Sequence, residues 1–200
     1  MSKLYYKYGA INSGKTTLLL QALYNYENQG MKVKLIKPKF NNDDDEIIKT
    51  KIGLVRNADL LIGYNDNIRN YLEKCYKDGV TCILVDEAQF LNKEQVDELY
   101  LCTKKYNIPV ICFGLRTDFK TQGFPGSIRL FELADEMEEI YTICSCGSRA
   151  RINARKKDGE YITVGNQIEF DKKDGITYEA LCGKCYLEKV LHIKMKEEEK

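Results

Sequence analysis

The stretch Gly9-Ala10-Ile11-Asn12-Ser13-Gly14-Lys15-Thr16 satisfies the pattern GxxxxGK[ST] in full. It follows an apolar run, Leu4–Tyr8, that reads as a short strand, and it opens Thr16–Asn28, which reads as a helix. A glycine-rich turn in that context lets successive backbone N–H groups wrap a phosphate chain, and the helix N-terminus adds the positive end of its dipole. In such a loop Lys15 reaches the β- and γ-phosphates and the Thr16 hydroxyl takes Mg²⁺. The eight residues Gly9 to Thr16 are therefore candidate ATP-binding residues.

Outward from this loop, apolar runs alternate with helical patterns as far as Ile143. Val33–Ile36, Cys82–Val85 and Val110–Leu115 read as strands; Ile68–Tyr76, Lys93–Tyr106 and Ser127–Ala134 read as helices. Strands that do not alternate polar with apolar, separated by helices, imply a parallel sheet covered on both faces, an α/β fold of the P-loop NTPase kind. The segment Pro38–Lys51 breaks the pattern with Asn41, Asn42, Asp43, Asp44, Asp45 and Glu46 and reads as a solvated loop. After Ile143 the chain changes to short hairpin-like pieces, among them Tyr161–Val164 and Gln167–Phe170, with too little core to fold without a staple. The expected organisation is a nucleotide-binding domain over residues 1–143, a small metal-binding domain over 144–191, and a charged tail over 192–200, of which Lys194–Lys200 reads as a fraying helix end.

Composition narrows the function. The 200 residues carry 31 Lys and Arg against 30 Asp and Glu, a formal charge of +1, so no global basic field points to nucleic acid. The longest apolar runs, Val80–Val85 and Pro109–Leu115, are far short of the roughly 20 residues a membrane helix needs. Met1–Tyr8 has no signal-peptide pattern, and a cytoplasmic location is expected. The single histidine, His192, leaves no room for a Ser-His-Asp triad in the core or a His-rich metal site.

Asp86-Glu87-Ala88-Gln89-Phe90 directly follows a buried strand. The carboxyl end of such a strand is where open parallel sheets bind ligands, so Asp86 is the Mg²⁺ partner expected to face Thr16. Glu87 is placed to take a proton, and Asp86, Glu87, Ala88 and Gln89 complete the candidate ATP site. This chemistry alone leaves open whether Glu87 activates water, as in an ATPase, or a hydroxyl, as in a kinase.

Of the eight cysteines, Cys75, Cys82, Cys102 and Cys112 lie singly in apolar patterns and read as small buried hydrophobes. Cys144-x-Cys146 and Cys182-x-x-Cys185 instead form two close pairs, the donor set of a structural, tetrahedral Zn²⁺ site. A redox pair is the weaker reading, because no helix is expected after the CxxC. The run Arg149, Arg151, Arg155, Lys156 and Lys157 reads as a solvated face rather than a nucleic-acid surface.

The phosphate loop, the DEAQF box, the run Phe113-Gly114-Leu115-Arg116-Thr117-Asp118-Phe119 and the two cysteine pairs, in this order and spacing, resemble the thymidine kinase family found in many bacteria and in vertebrate cytosol. The resemblance spans about Lys3 to Tyr186. It implies transfer of the ATP γ-phosphate to the 5′-hydroxyl of thymidine or deoxyuridine, with Glu87 as the base. It also implies a thymine pocket from Phe90, Leu115, Phe119 and Phe124, and a lasso between the cysteine pairs that holds the base by main-chain groups and Tyr178. Feedback inhibition by thymidine triphosphate and a homotetramer are further implications. Phe170-Asp171-Lys172-Lys173-Asp174-Gly175 departs from the family's Ile-Gly-Gly lasso and is longer. Rival readings are an ATPase or switch module whose zinc piece binds a partner, and a nucleic-acid-binding ribbon.

Overall fold

The computed structural model describes residues 1–39, 46–167 and 175–194. They divide into two compact units: the first holds Met1–Tyr8, Gly14–Arg116 and Phe124–Glu139, the second Gly9–Ser13, Thr117–Gly123 and the chain from Ile140 onward.

In the first unit, β1 (Leu4–Gly9, its last residue assigned to the second unit) leads to α1 (Lys15–Asn28), and β2 (Val33–Pro38) follows. A small hairpin of β3 (Ile47–Lys49) and β4 (Val55–Asn57) precedes β5 (Leu60–Ile62). Then come α2 (Arg69–Lys77), β6 (Cys82–Val85), a single 3-10 turn (Ala88–Phe90), α3 (Lys93–Lys105), β7 (Val110–Leu115), α4 (Pro125–Leu133) and β8 (Glu136–Ile140, its last residue assigned to the second unit). Six strands form one sheet in the order β5-β2-β6-β7-β1-β8, with β5, β2, β6 and β7 successively parallel. All four residues of β6 are buried, as expected for a strand covered on both faces.

Local chemistry sets the helix ends. Asn92 caps α3 by accepting from the Gln95 N–H at 2.7 Å, while the Gln95 side chain accepts from the Asn92 N–H at 3.1 Å, a reciprocal capping box. Pro125 occupies the first turn of α4, where its missing N–H costs nothing. The core gathers Leu4, Ile36, Ile83, Val85, Leu99 and Val110 with Cys75, Cys102 and Cys112. Burial pushes the Cys82 thiol up to about 12, so it behaves as the inert hydrophobe expected.

The solvated-loop reading of Pro38–Lys51 needs correction. Ile47–Lys49 pairs antiparallel with Val55–Asn57, and Ile48 is buried. The Leu54 N–H donates to the Thr50 hydroxyl at 2.9 Å, closing the turn. A three-residue strand with one inward side chain carries too little periodicity to stand out beside an acidic run. Asn41 to Asp45 lie outside the described residues.

The second unit holds β9 (Thr142–Ile143), β10 (Arg149–Ala150), β11 (Ile152–Lys157), β12 (Glu160–Ile162), β13 (Ile176–Leu181) and α5 (Gly183–Lys189). β9 pairs with β10, and β11 is the centre of an antiparallel sheet in the order β12-β11-β13. Its small core packs Ala150, Ala154, Leu181, Tyr186 and Val190 around Cys144, Cys182 and Cys185. A helix does begin at the CxxC: Cys182 caps α5, its Sγ accepting from the Cys185 N–H at 3.4 Å, which corrects the expectation of no helix there. The basic run is not a uniformly solvated face either. Arg155 is fully buried, Arg149 lies 3.4 Å from the Tyr141 ring centroid, and Lys156 pairs with Glu179 at 2.6 Å. The candidate lasso residues Phe170 to Asp174 and the tail from Met195 lie outside the described residues.

Candidate functional site

The phosphate-loop sequence is divided between the units. In the first, Gly14 has φ 81°, a left-handed conformation that glycine adopts without a Cβ penalty, and the Gly14 carbonyl accepts from the Leu18 N–H at 3.0 Å. Lys15 and Thr16 follow in the first turn of α1. Lys15 is 8 % exposed; burial lowers its pKa, while Glu87 and Asp86 oppose that shift. In the second unit, Asn12 is also left-handed at φ 62°, and the Ser13 N–H donates to Ala10 O at 3.3 Å. A Cβ on Gly9 would stand 2.7 Å from Ile140 O, so only glycine fits that approach.

Asp86 follows β6, and its backbone N–H donates to Ile36 O at 3.0 Å. Its Oδ1 accepts from the Thr16 hydroxyl at 3.4 Å, bringing together the two residues expected to share a cation. Burial, then the neighbouring Glu87 charge, pushes the Asp86 carboxyl up to about 7. A buried carboxylate beside a hydroxyl is a hard-oxygen donor set suited to Mg²⁺.

Glu87 has φ 49° and ψ 38°, a left-handed conformation costly for a residue with a long side chain. Its Oε2 accepts from Gln89 Nε2 at 2.5 Å. Gln89 is itself buried, and its Oε1 accepts from the Leu115 N–H at 3.0 Å. One amide thus ties the Glu87 side chain to the end of β7. Ala88 and Phe90 are buried in the same turn, and the Phe90 ring meets Phe124 edge-on at 5.7 Å. Leu115, Phe90 and Phe124 all belong to this unit. Arg129, one of two arginines near the candidate site in sequence, is held by Asp97 at 2.5 Å and Glu132 at 2.7 Å.

Within the second unit, Phe119 is buried beneath the Arg155 guanidinium, at 3.7 Å from carbon to ring centroid. Arg155 Nε donates to the Tyr178 hydroxyl at 2.8 Å, and the two residues are register partners on β11 and β13. Asn153, two residues earlier on the same strand, bonds Ile11 and Thr117. Asn153 was not among the sequence candidates, and Arg155 entered only as part of the basic run. The available signal was a polar residue and a cation at alternate positions of a short strand, Ile152-Asn153-Ala154-Arg155.

The sulfurs of Cys144, Cys146, Cys182 and Cys185 lie within 4.8 Å of one another, and Cys146 and Cys182 are 3.6 Å apart. That is too long for a disulfide and matches the ~3.8 Å edge of a tetrahedron with Zn–S bonds near 2.3 Å. Hydrogen bonds from the Ser148 side chain and backbone hold the Cys146 thiol down at about 6, favouring the thiolate that binds metal.

A parallel sheet, a GxxxxGK[ST] turn entering a helix, and a buried aspartate touching that turn's threonine define a P-loop nucleotide-binding protein with a Cys₄ metal-site geometry. A family model described as thymidine kinase matches residues 2–195. The chain belongs to the thymidine kinase family. It is 42 % identical over 191 residues to a thymidine kinase of Chromobacterium violaceum, covering 93 % of this chain and 98 % of that one. It is 40 % identical over 184 residues to a thymidine kinase of Mesorhizobium japonicum, covering 91 % and 89 %. A genome packaging NTPase of Sulfolobus turreted icosahedral virus 2, solved with ATP-gammaS, superposes with TM-score 0.42 over 73 % of this chain and 78 % of that chain, at 13 % identity.

Proposed function

We propose that this chain transfers the γ-phosphoryl group of ATP to the 5′-hydroxyl of thymidine, and of deoxyuridine, with Glu87 as general base. The observation that carries this reading is the grouping in the first unit of a buried Lys15, the Thr16–Asp86 contact and the Gln89-anchored Glu87. Gly9 to Thr16, with Asp86 to Gln89, bind ATP, and Lys15 offsets charge on the β- and γ-phosphates. Thr16 and Asp86 would hold Mg²⁺, which when bound neutralises phosphate charge. Glu87 accepts the proton of the attacking hydroxyl, and Gln89 keeps its carboxylate in one orientation. Arg116 is the arginine assigned to the transferred phosphoryl, because Arg129 is already engaged by two carboxylates.

On the family resemblance, the nucleoside base is assigned to Phe90, Leu115, Phe119, Phe124 and Tyr178. Cys144, Cys146, Cys182 and Cys185 would hold a structural Zn²⁺, a closed site that supplies stability rather than chemistry. Residues 1–143 act as the nucleotide-binding domain and 144–191 as the metal-stapled domain carrying the lasso. Thymidine triphosphate, which joins the base to a triphosphate, is the natural feedback inhibitor of such a site. A homotetramer is proposed from the family resemblance alone. Eight free thiols suit the reducing cytoplasm, and no helix among the described residues is long and apolar enough to cross a membrane.

The test is transfer of label from γ-labelled ATP with Mg²⁺ to thymidine, deoxycytidine, deoxyguanosine or no acceptor. Label on thymidine, and not on the purine nucleoside, is expected. Label appearing only as free phosphate, whatever the acceptor, overturns the reading and makes Glu87 a water-activating residue.

A further inference from the structure

Strand β11 has two working faces. Ile152 and Ala154 pack into the cluster of Cys144, Cys182, Cys185 and Leu181, and the alternate positions carry Asn153 and Arg155, which are 4 % and 0 % exposed. Asn153 Oδ1 accepts from the Ile11 N–H at 2.8 Å, and its Nδ2 donates to the Thr117 carbonyl at 2.7 Å. Ile11 belongs to the phosphate loop. Thr117 opens the loop that carries Phe119, bridges back to Gly123 and closes through the Gln122 carbonyl, which accepts from the Asp118 N–H at 2.8 Å. One partner can only donate and the other can only accept, so among neutral side chains of this length only a carboxamide satisfies both.

We propose that Asn153 is a positioning residue that couples the phosphate and base subsites, by holding the main chains of both loops on one buried amide. The proposal rests on the kinase reading for the identity of the second subsite. Two features make the coupling physical. The phosphate loop places Asn12 in a left-handed conformation, which asparagine tolerates, so the turn around Ile11 has a defined backbone path for the Asn153 bond to hold. The amide has two rotatable bonds and is packed on a strand whose opposite face is the cysteine cluster, so one loop cannot shift without loading the other. Ordering of either loop by its ligand therefore prepares the other, and the effect is reciprocal.

The experiment uses the intact, metal-loaded protein and measures dissociation constants of a non-hydrolysable ATP analogue with and without thymidine, and of thymidine with and without the analogue. In the unmodified protein each ligand is expected to tighten the other by the same factor, about five- to tenfold. Asn153→Asp keeps an acceptor for Ile11 but has no donor for Thr117, and should bring that factor close to one while analogue affinity alone changes less than about threefold. Asn153→Ala should weaken the analogue by about tenfold as well. Unchanged melting temperature and zinc content in the variants separate positioning from unfolding. A coupling factor of one in the unmodified protein, or a full factor in Asn153→Asp, overturns the proposal. If neither variant folds, amide hydrogen exchange at Ile11 in the unmodified protein decides: protection supports the bond, and free exchange refutes it. Absence of any thymidine binding would instead defeat the kinase reading, leaving the Ile11 half to be judged by the Asn153→Ala analogue affinity.

Discussion

The Arg155 guanidinium stacks on the Phe119 ring at 3.7 Å while its Nε donates to the Tyr178 hydroxyl at 2.8 Å. A fully buried cation is thus held between two aromatic residues assigned to the nucleoside base. A planar guanidinium lies flat on the ring while its edge N–H groups donate in fixed directions; an ammonium has no flat face and no fixed fork. Arg155→Lys is expected to raise the KM for thymidine about tenfold while the KM for ATP changes less than about threefold. Tyr178→Phe should add little in the Lys background, because the shared bond is already gone. Steady-state kinetics on the two single variants and the double variant measure this directly, and equal rises in both KM values would contradict it.

Glu87 carries the proton-transfer role and Gln89 its orientation. Glu87→Gln is expected to lower kcat by about 10²–10⁴-fold with binding of both substrates retained. Gln89→Ala should lower kcat less, and it should also destabilise the fold by about 1–3 kcal/mol because the buried Leu115 N–H loses its acceptor. Turnover by Glu87→Gln at the unmodified rate would remove the base assignment.

Asp86 links function to stability through pH. Its carboxyl ionises near its ordinary 3.8 when unfolded and at about 7 when folded, so between those values the native state binds more protons. Its contribution is therefore present at low pH and is lost as pH rises through 7. In metal-free protein at pH 8, Asp86→Asn should raise stability by about 1–3 kcal/mol, with no gain near pH 4, and should abolish phosphate transfer. Thermal melts across pH give the first result, and the transfer assay gives the second. A variant less stable than the parent at pH 8 would show that ionised Asp86 is well compensated in the native state.

Metal removal should act on the second unit. Its small core is built around three of the four cysteines, and Cys182 also caps α5. Cys182→Ser is expected to lose zinc and at least about 3 kcal/mol of stability, with thymidine binding more affected than ATP binding. Elemental analysis with calorimetry checks both, and a zinc-free variant of full stability would argue against a structural metal.

Gly126 marks a close approach of α4 to the turn after Asp86. A Cβ there would stand 2.6 Å from Leu91 O and 2.7 Å from Ala88 O. Gly126→Ala should cost about 1–3 kcal/mol and lower kcat, since the displaced carbonyls belong to the turn that orients Glu87. Chemical denaturation and turnover on the same sample would show whether the two effects travel together.

Much of this molecule was legible in one dimension because its determinants are local. GxxxxGK[ST] specifies a strand, a turn and a helix within Leu4–Asn28, and the Cys144, Cys146, Cys182 and Cys185 spacings present metal-ligand pairs whatever surrounds them. The buried strands Cys82–Val85 and Val110–Leu115 announced themselves by unbroken apolarity, and both have the expected bounds. The β3–β4 hairpin and the helix at Cys182 were not visible. The strands have three residues each and the helix seven, all shorter than the window of about 11–18 residues in which a periodic pattern stands out.

The sequence by itself determined the chemistry on offer: a phosphate loop, an acidic pair after a strand, and four thiols. Tertiary structure alone decided how these residues are held. That Thr16 touches Asp86, that Gln89 anchors Glu87 to Leu115, and that Asn153 and Arg155 turn inward rather than toward solvent depend on contacts between residues 23 to 142 positions apart. The physical reason is that a polar side chain reads the same in sequence whether water or a buried partner satisfies it, and only the fold supplies the partner.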